Sequence, residues 1–213
     1  MADPVKGRTA AGRRREERAR ATRDRIVAAA TALFLDRGYT STTVEAIASE
    51  AGVAAATVYQ AFGTKSAVLA RALDVAVAGD AEPVPLLERE WVAAARRHGS
   101  PRRRLAAVVE HTARIAARTA PLKAVMRDAA ATESAIRELL ARDDARRLTT
   151  QRGLLEVALG RPPTDEEAAV CFLLVHSGAF LLASEHLGWS EDGWRRWLLE
   201  TLERRLLPAA GLV

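Results

Sequence analysis

The sequence has one cysteine, few histidines and no long apolar run. A single cysteine, Cys171, excludes an internal disulfide framework and a zinc site built from several cysteines. It lies in an apolar stretch, which favours a core position over the alternative of a redox sensor. No segment is apolar over the length needed to span a bilayer, and the N-terminus lacks the apolar centre of a signal peptide. We therefore expect a cytoplasmic protein that does not enter a membrane.

Sequence patterns of common catalytic sites are also missing. There is no glycine-rich phosphate loop, no GxSxG, no HExxH and no pair of carboxylates at a catalytic spacing. The four histidines are His98, His111, His176 and His186. On one helix, His176 and His186 would point in directions about 80° apart, which is unfavourable for a shared metal ion. The sequence therefore predicts no enzyme activity, no metal site and no cofactor.

The excess of positive charge is concentrated at the N-terminus. The 213 residues include 32 basic and 27 acidic residues, for a formal net charge of +5. Nine of the basic and four of the acidic residues lie in residues 1–25, so the remainder is neutral overall. Residues 1–20 have almost no large apolar side chains, and we predict a disordered basic arm there. Such an arm would contact DNA phosphates; the alternative is a tail that only aids solubility.

Residues 43–69 carry the pattern on which the rest of the interpretation depends. Four residues follow the spacing of one apolar helix face: Val44, Ile47, Ala48 and Ala51. Gly52 follows at the position where a left-handed residue ends a helix. Thr42 and Glu45 are spaced as a capping box at the helix start. A second short helix is predicted over residues 55–62, with Val58 and Phe62 buried, which gives a helix-turn-helix.

The outward face of the second helix distinguishes this pair from an ordinary helical hairpin in an all-α core. Its residues are small or hydrogen-bonding and carry no charge: Ala55, Ala56, Thr57, Tyr59 and Gln60. Small residues let a helix backbone approach base edges, while threonine and glutamine can bond to bases and tyrosine can reach a phosphate. The pattern predicts a helix that lies in the DNA major groove.

With these motifs, residues 22–77 resemble the N-terminal domain of the tetracycline-repressor (TetR) family. The segment contains RDRIVAAATALFLDRGYTSTTVEAIASEAGV, then TVYQAF and TKSAVL, and spans about a quarter of the chain. The resemblance implies phosphate contacts from three residues: Thr43, Tyr59 and Lys65. It implies that four others face bases: Ala55, Ala56, Thr57 and Gln60. Ala54 stands where the family usually has serine or a similar capping residue.

The remaining residues predict a second, helical domain. Prolines and glycines in residues 80–101 mark the boundary, so we divide the chain into the arm (1–20), a three-helix DNA-binding domain (21–79) and a C-terminal domain (80–213). Pro121 is expected to end one helix and open the next, with a further break near Thr132 and Glu133. Thr164 and Glu167 have the spacing of a capping box.

Two C-terminal segments are rich in apolar residues. The stretch VCFLLVHSGAFLLASEHL reads as one helix that is apolar on nearly all sides and therefore buried all round. The last helix, from Ser190, has a broad apolar stripe. These helices favour a homodimer built on a four-helix bundle, as the resemblance implies; the alternative is that both serve only the core of one subunit.

The resemblance also implies a pocket for a small-molecule effector in the C-terminal domain. Candidates are aromatic or apolar residues with a few polar groups: Trp91, His111, Ile115, Met126, Phe172, His176 and Phe180. Plain core packing is the alternative for each of them.

The sequence thus predicts an all-α, dimeric DNA-binding regulator, most often a repressor in this family, that a small molecule releases from a palindromic operator. One alternative is a DNA-binding protein that needs no effector or is controlled by another protein. An all-α enzyme with a DNA-binding domain and a helical adaptor for acidic partners are further alternatives.

Overall fold

The computed structural model describes residues 10–82 and 84–207. Within these ranges the chain forms ten α-helices and one short 3₁₀ turn, and no β-strand. The predicted all-α fold class is confirmed. The first four helices are α1 (Ala10–Ser41), α2 (Val44–Ala51), α3 (Ala55–Phe62) and α4 (Lys65–Ala78). After the 3₁₀ turn (Leu86–Glu88) follow α5 (Glu90–Arg97), α6 (Pro101–Ala130), α7 (Ser134–Leu159), α8 (Asp165–Leu174), α9 (Ser177–Leu187) and α10 (Glu191–Leu206).

The chain divides into two compact units, one up to Ala72 and one from Leu73 onward. This division falls inside α4, which contributes residues to both units. The domain boundary predicted from sequence, between residues 79 and 80, lies just after the end of the same helix and remains a prediction.

The N-terminal unit is held together by apolar residues from its four helices. The largest of them are almost fully buried: Ile26, Phe34, Ile47, Val58, Val68 and Leu69. The four residues predicted as one face of α2 are all buried, and Gly52 takes the left-handed conformation, which confirms that pattern. On α3, Val58 is buried as predicted, whereas Phe62 is only half-buried.

α1 begins earlier than the sequence analysis predicted. It starts at Ala10, so residues 10–20, which we had predicted as part of a disordered arm, are helical. Alanine, arginine and glutamate dominate this stretch, and all three have high helix propensity. Their propensity outweighs the lack of large apolar side chains. Residues 1–9 of the predicted arm lie outside the described residues.

The predicted capping box of Thr42 with Glu45 is wrong. The N-cap of α2 is Thr43, whose hydroxyl oxygen accepts a hydrogen bond from an amide of the first turn at 3.1 Å. Thr42 is only 1% exposed, and its hydroxyl donates to the carbonyls of Leu33 and Gly38 at 3.2 and 2.8 Å. Thr42 and Thr43 have the same hydroxyl group, but that of Thr42 is used by carbonyls of α1, which leaves Thr43 as the N-cap of α2.

The C-terminal unit is built on α6, which contacts α5, α7, α9 and α10. Pro121 lies inside this helix and does not end it, contrary to our prediction. A proline inside a helix costs about 3 kcal/mol or more, but residues on both sides of it are buried, including Thr119, Leu122 and Met126. Burial along the continuous helix outweighs the cost of the proline. The break predicted near Thr132 and Glu133 is confirmed, since α7 begins at Ser134.

The apolar stretch near the C-terminus is two helices, α8 and α9, and not the single buried helix that we predicted. The two helices meet at Val175 and His176, and three of their leucines are well exposed: Leu173 (68%), Leu182 (61%) and Leu187 (63%). Among the described residues, no single helix is long and apolar enough to cross a membrane; α8 and α9 meet that criterion only as a pair bent by 42°. The capping box of Thr164 and Glu167 at the start of α8 is confirmed.

Replacing Gly52 with alanine is expected to lower the free energy of unfolding by about 1–2 kcal/mol. Gly52 has φ 64° and ψ 42°, a left-handed conformation that a residue with a Cβ atom adopts at about this cost. An added Cβ would meet no atom of the described residues within 4 Å, so the loss comes from the backbone alone.

Urea denaturation followed by circular dichroism measures this change. Gly52→Asn is the matched control, because asparagine tolerates the left-handed conformation better than alanine. Equal losses in the two variants would contradict the backbone explanation.

Candidate functional site

The turn between α2 and α3 is closed by backbone hydrogen bonds. The Gly52 amide donates to the carbonyl of Ser49 at 3.2 Å, and the Val53 amide donates to the carbonyl of Ala48 at 2.9 Å. These bonds satisfy carbonyls that the end of α2 would otherwise leave unpaired. The turn therefore fixes where α3 begins.

α3 starts without a side-chain cap. Its N-cap residue is Ala54, which has no side chain that could accept a hydrogen bond from the first turn. The Thr57 amide donates to the Ala54 carbonyl at 2.9 Å. No acidic residue lies in the first turn, so the partial positive charge of this helix start is not offset locally.

The two faces of α3 differ as the sequence predicted. Val58 is 1% exposed and packs inward, while Ala56, Tyr59 and Gln60 are exposed, with Tyr59 at 48%. These three lie at helical spacings of three and four residues and therefore share one face. The other two predicted contact residues, Ala55 and Thr57, are half-buried.

Lys65 has a contact that the sequence analysis did not foresee. Its ammonium donates to the carbonyls of Tyr39 and Thr42, both at 2.8 Å, and lies 4.1 Å from the centre of the Tyr39 ring. Lys65 thus connects the start of α4 to the end of α1 and to the residue before the N-cap of α2. Its predicted phosphate contact remains a prediction, as does that of the exposed Thr43.

A basic surface lies on the first turns of α1. Arg14, Arg15 and Arg18 are exposed, and Arg18 lies beside both of the others on the helix surface, four residues after Arg14 and three after Arg15. The positive charge predicted for a disordered arm is therefore carried, over this part, by a helix. A helix holds these charges at fixed spacing, which a disordered arm does not.

The C-terminal unit contains a small apolar cavity among α6, α7, α8 and α10. Its volume is about 10 Å³, which is room for about one water molecule. Most of its lining is apolar: Leu105, Val108, Val109, Leu154, Leu155, Ala158, Val175 and Leu202. Thr112, Gln151 and Cys171 complete it.

None of the seven residues named as pocket candidates from the sequence lines this cavity. Trp91 and His111 stack on each other with ring centres 4.3 Å apart, and Ile115 lies one turn further along α6. Met126 is fully buried. Phe172 and His176 lie near the junction of α8 and α9. The structure therefore places the predicted residues in separate groups, and their ligand contacts remain predictions.

His176 is the N-cap of α9. Its Nδ1 atom accepts a hydrogen bond from the Gly178 amide at 2.8 Å, which requires that this nitrogen carry no proton. Burial lowers the pKa of His176 from its ordinary value, and the positive charges of Arg147 and Lys123 lower it further, while Asp144 has the opposite effect. Both the cap and the surroundings favour the neutral ring.

A network of charged side chains adjoins this junction. Lys123 on α6 and Asp143 on α7 are 7% and 5% exposed and form an ion pair at 2.5 Å. Arg146 contacts Asp143 at 3.1 Å and Asp74 on α4 at 2.9 Å. Arg147 stacks on the Phe172 ring, with the guanidinium carbon 3.6 Å from the ring centre. In the part of the chain that the structure describes, no three acidic, histidine or cysteine side chains are grouped to hold a metal ion.

The family of the N-terminal domain follows from a direct match. Residues 26–72 match the model of the bacterial regulatory proteins of the tetR family. The N-terminal domain belongs to the tetR family. The matched residues include all of α2 and α3 and the greater part of α4, and thus the whole candidate DNA contact surface of α3.

The fold of the whole chain is similar to that of solved regulators. NalD of Pseudomonas aeruginosa, the secondary repressor of the MexAB-OprM multidrug efflux pump, has a TM-score of 0.65 at 21% identity over 91% of this chain and 99% of NalD. A transcriptional regulator from Rhodococcus sp. gives 0.61 at 22% identity over 90% and 99%. A protein from Saccharomonospora viridis, described as a proposed transcriptional regulator and solved with choline, gives 0.60 at 23% over 85% and 95%. No curated protein matches the sequence.

At these identities the likeness establishes the fold. The DNA-binding domain and the overall fold are those of a tetR-family transcriptional regulator.

Sequence reasoning missed the buried charges of α7. Asp143, Arg147 and Gln151 follow one another at four-residue spacing and continue into the buried Leu154 and Leu155. That spacing marks one face of α7, and the apolar residues at its end were a signal that the face is buried. The many exposed arginines of the same helix obscured it.

Because the pKa of His176 is lowered by folding, the protein is expected to lose stability as the pH falls below about 6.5, the ordinary value of histidine. Below that pH the unfolded chain binds a proton that the folded chain takes up only at lower pH, so the free energy of unfolding falls. His176→Asn keeps a capping acceptor and does not titrate, so it should lose less stability between pH 7 and pH 5.

Thermal unfolding at a series of pH values measures the difference. His176→Ala is the control for the cap itself: it should cost about 1 kcal/mol near pH 7 and less at pH 5, where the wild type has itself lost stability. Identical pH profiles for the wild type and His176→Asn would show that His176 is not the group responsible.

Proposed function

We propose that this tetR-family regulator is a homodimer that binds a palindromic operator and represses transcription until a small-molecule effector releases it. The observation that carries the DNA-binding part is the exposed, uncharged face of α3, on a helix fixed by the Gly52 turn. A helix that presents such a face can enter the major groove, where base edges are distinguishable.

The residues of α3 differ in the part of the DNA that each can contact. Gln60 is exposed and can bond to a base edge with both its donor and its acceptor. Ala56, one turn earlier on the same face, leaves room for the helix backbone to approach the groove. Tyr59 is exposed and has a hydroxyl that can donate to a phosphate. With so few polar groups, operator choice also depends on apolar contacts and on DNA shape.

Charge attraction to DNA is assigned to the exposed arginines of α1. Arg14, Arg15 and Arg18 attract phosphates without regard to sequence, and such contacts make binding dependent on salt. Phosphate contacts by Thr43 and Lys65 would fix the orientation of the domain on the duplex.

Exposed apolar side chains on the last three helices support a dimer. Leu173, Leu182 and Leu187 are all more than 60% exposed, and Trp197 on α10 is 37% exposed. Exposed apolar residues mark a protein contact where they join into one patch, and we propose that these do. Two copies joined there would present two α3 helices to half-sites roughly 34–36 Å apart.

The effector response is proposed to act through α4. Near the end of this helix, Arg118 on α6 donates to the carbonyls of Ala76 and Val77 at 3.0 and 3.2 Å. Arg146 on α7 pairs with Asp74 at 2.9 Å. A ligand that shifts α6 or α7 changes these contacts, and it alters DNA affinity only if it binds the two conformations unequally. The choline bound to the Saccharomonospora viridis protein is a precedent for a small ligand on this fold.

An alternative is a DNA-binding protein that needs no effector or is controlled by another protein. The small volume of the apolar cavity favours this alternative. A screen for ligands that weaken operator binding separates the two, because in the alternative no small molecule changes the affinity.

Footprinting on the DNA upstream of the gene tests the DNA-binding proposal. We expect a protected palindrome, and Gln60→Ala should weaken binding to it by about 1–3 kcal/mol with loss of preference at one base pair of each half-site.

Replacing Arg14, Arg15 and Arg18 with glutamine should instead weaken binding to all sequences and flatten the salt dependence. Arg142→Gln, at an exposed site on α7, is the control. Equal effects of the Gln60 and arginine variants on all DNA sequences would contradict base reading by α3.

Leu182→Arg is expected to convert the dimer to a monomer and to weaken operator binding, because it places a charge in the proposed apolar contact. Analytical ultracentrifugation measures the change in mass. Leu35→Arg is the control, since Leu35 lies on α1 and is also well exposed, at 47%. A Leu182→Arg variant that sediments as the wild type does would rule out this surface as the interface.

A further inference from the structure

We propose that the effector of this regulator is an apolar organic acid whose carboxylate is bound by Arg147. This inference rests on the effector response proposed above and names the chemical class of the ligand and the residue that would bind it.

Arg147 is a mostly buried arginine whose guanidinium is only partly satisfied. Its side chain is 15% exposed. The Nη1 atom donates to the carbonyl of Phe172 at 3.1 Å and to the Gln151 side-chain oxygen at 3.3 Å. The Nε and Nη2 atoms are buried and have no hydrogen-bond partner among the described residues. The nearest carboxylate oxygen, on Asp144, lies 3.7 Å from Nε, which is beyond hydrogen-bond distance.

The two atoms that lack a hydrogen-bond partner form one edge of the guanidinium. Nε and Nη2 lie on the same side of the planar group, and together they present two parallel N–H donors that match the two oxygens of a carboxylate. A buried charged donor without a partner is costly, so a protein that keeps one gains when a ligand supplies the partner. The Phe172 ring against the guanidinium and the bond to its carbonyl hold this group in place.

The apolar cavity adjoins Arg147. Gln151, which accepts a hydrogen bond from Arg147, is one of the lining residues, and so is Cys171. The rest of the lining is apolar apart from Thr112, whose hydroxyl already donates to the Val108 carbonyl at 2.8 Å. A ligand with a carboxylate at one end and a hydrocarbon body would place each part beside matching groups.

The ligand must widen this cavity, because about 10 Å³ does not hold a hydrocarbon chain. Val175 lines the cavity and lies at the break between α8 and α9. A helix break has fewer backbone hydrogen bonds than a continuous helix, so displacement there costs less. The opening is therefore expected at this junction.

The charges around the junction favour an anion over a cation. The positive charges of Arg147, Lys123 and Arg127 act on His176 against the one opposing charge of Asp144, and the buried Asp143 is paired with Lys123. A quaternary ammonium such as choline would meet three positive charges, with Asp144 as the one acidic group opposing them.

The proposed site also adjoins ion pairs that reach α4. Asp144 lies 3.7 Å from Arg147 and 3.9 Å from Lys123, Lys123 pairs with Asp143, and Asp143 contacts Arg146. Arg146 in turn pairs with Asp74 on α4. A carboxylate on Arg147 competes with Asp144 for that guanidinium and so perturbs the network at its other end.

The test measures binding of matched probes to the full-length protein by isothermal titration calorimetry. The probes are straight-chain carboxylates of four to ten carbons, the alcohols of equal length and the alkyltrimethylammonium salts of equal length. We expect at least one carboxylate to bind roughly tenfold or more tightly than its alcohol, and the ammonium salt to bind most weakly. Equal affinities for a carboxylate and its alcohol, or no carboxylate binding at all, would overturn the proposal.

Arg147→Met is the decisive variant, and Arg142→Met, at an exposed site on the same helix, is the matched control. We expect Arg147→Met to lose the carboxylate preference and Arg142→Met to keep it. Arg147→Lys, which keeps the charge without the two-donor edge, should bind carboxylates with intermediate affinity and serves if the methionine variant fails to fold. Full retention of the preference in either Arg147 variant would overturn the assignment.

Release of operator DNA separates this inference from the proposed function. If an alcohol or an ammonium salt releases the DNA and carboxylates do not, the regulator responds to an effector but the ligand class is wrong. If carboxylates bind through Arg147 and no probe changes DNA affinity, the carboxylate site is confirmed and the proposed effector response is wrong.

Discussion

A helix of eight residues is not stable in water on its own, and both α2 and α3 have this length. Each exists because one of its faces is buried against the other helices of the N-terminal unit, and on α3 the only fully buried side chain is that of Val58. The Gly52 turn fixes where α2 ends and where α3 begins. Because burial of the inner face holds α3 in place, the outer face is left without a structural task and is available for contact with DNA.

The contacts of Lys65 also help to hold the helices of the N-terminal unit together. Its ammonium donates to the carbonyl of Tyr39, in the last turn of α1, and to that of Thr42, just before the N-cap of α2. The lysine thereby ties the end of α1 to the start of α2. A lysine that seemed only a phosphate ligand in the sequence is also part of what positions α2. Replacement of Lys65 is therefore expected to disturb the start of α2 as well as any phosphate contact.

The features that were predictable from sequence depend on neighbouring residues. The apolar face of α2, the left-handed Gly52, the capping box of Thr164 with Glu167 and the exposure of Gln60 all follow from spacing over a few residues. The errors arose where distant residues decide the outcome. Pro121 is tolerated because the surrounding residues of α6 are buried. The break between α8 and α9 was not predicted because a long apolar run has no periodicity that would mark a helix end. The burial of Arg147 likewise depends on Phe172 and Gln151, which no spacing identifies as its partners in advance.

Because the start of α3 has no side-chain cap, its backbone amides can add to DNA affinity alongside its side chains. With alanine at the N-cap, no capping side chain accepts a hydrogen bond from the amides of the first turn. A phosphate placed at this end would accept such bonds and meet the positive end of the helix dipole. That part of the affinity belongs to the backbone, so it survives every side-chain replacement. An alanine scan of α3 would accordingly understate how much the helix contributes, most of all in a sequence that already has alanine at three of the first positions.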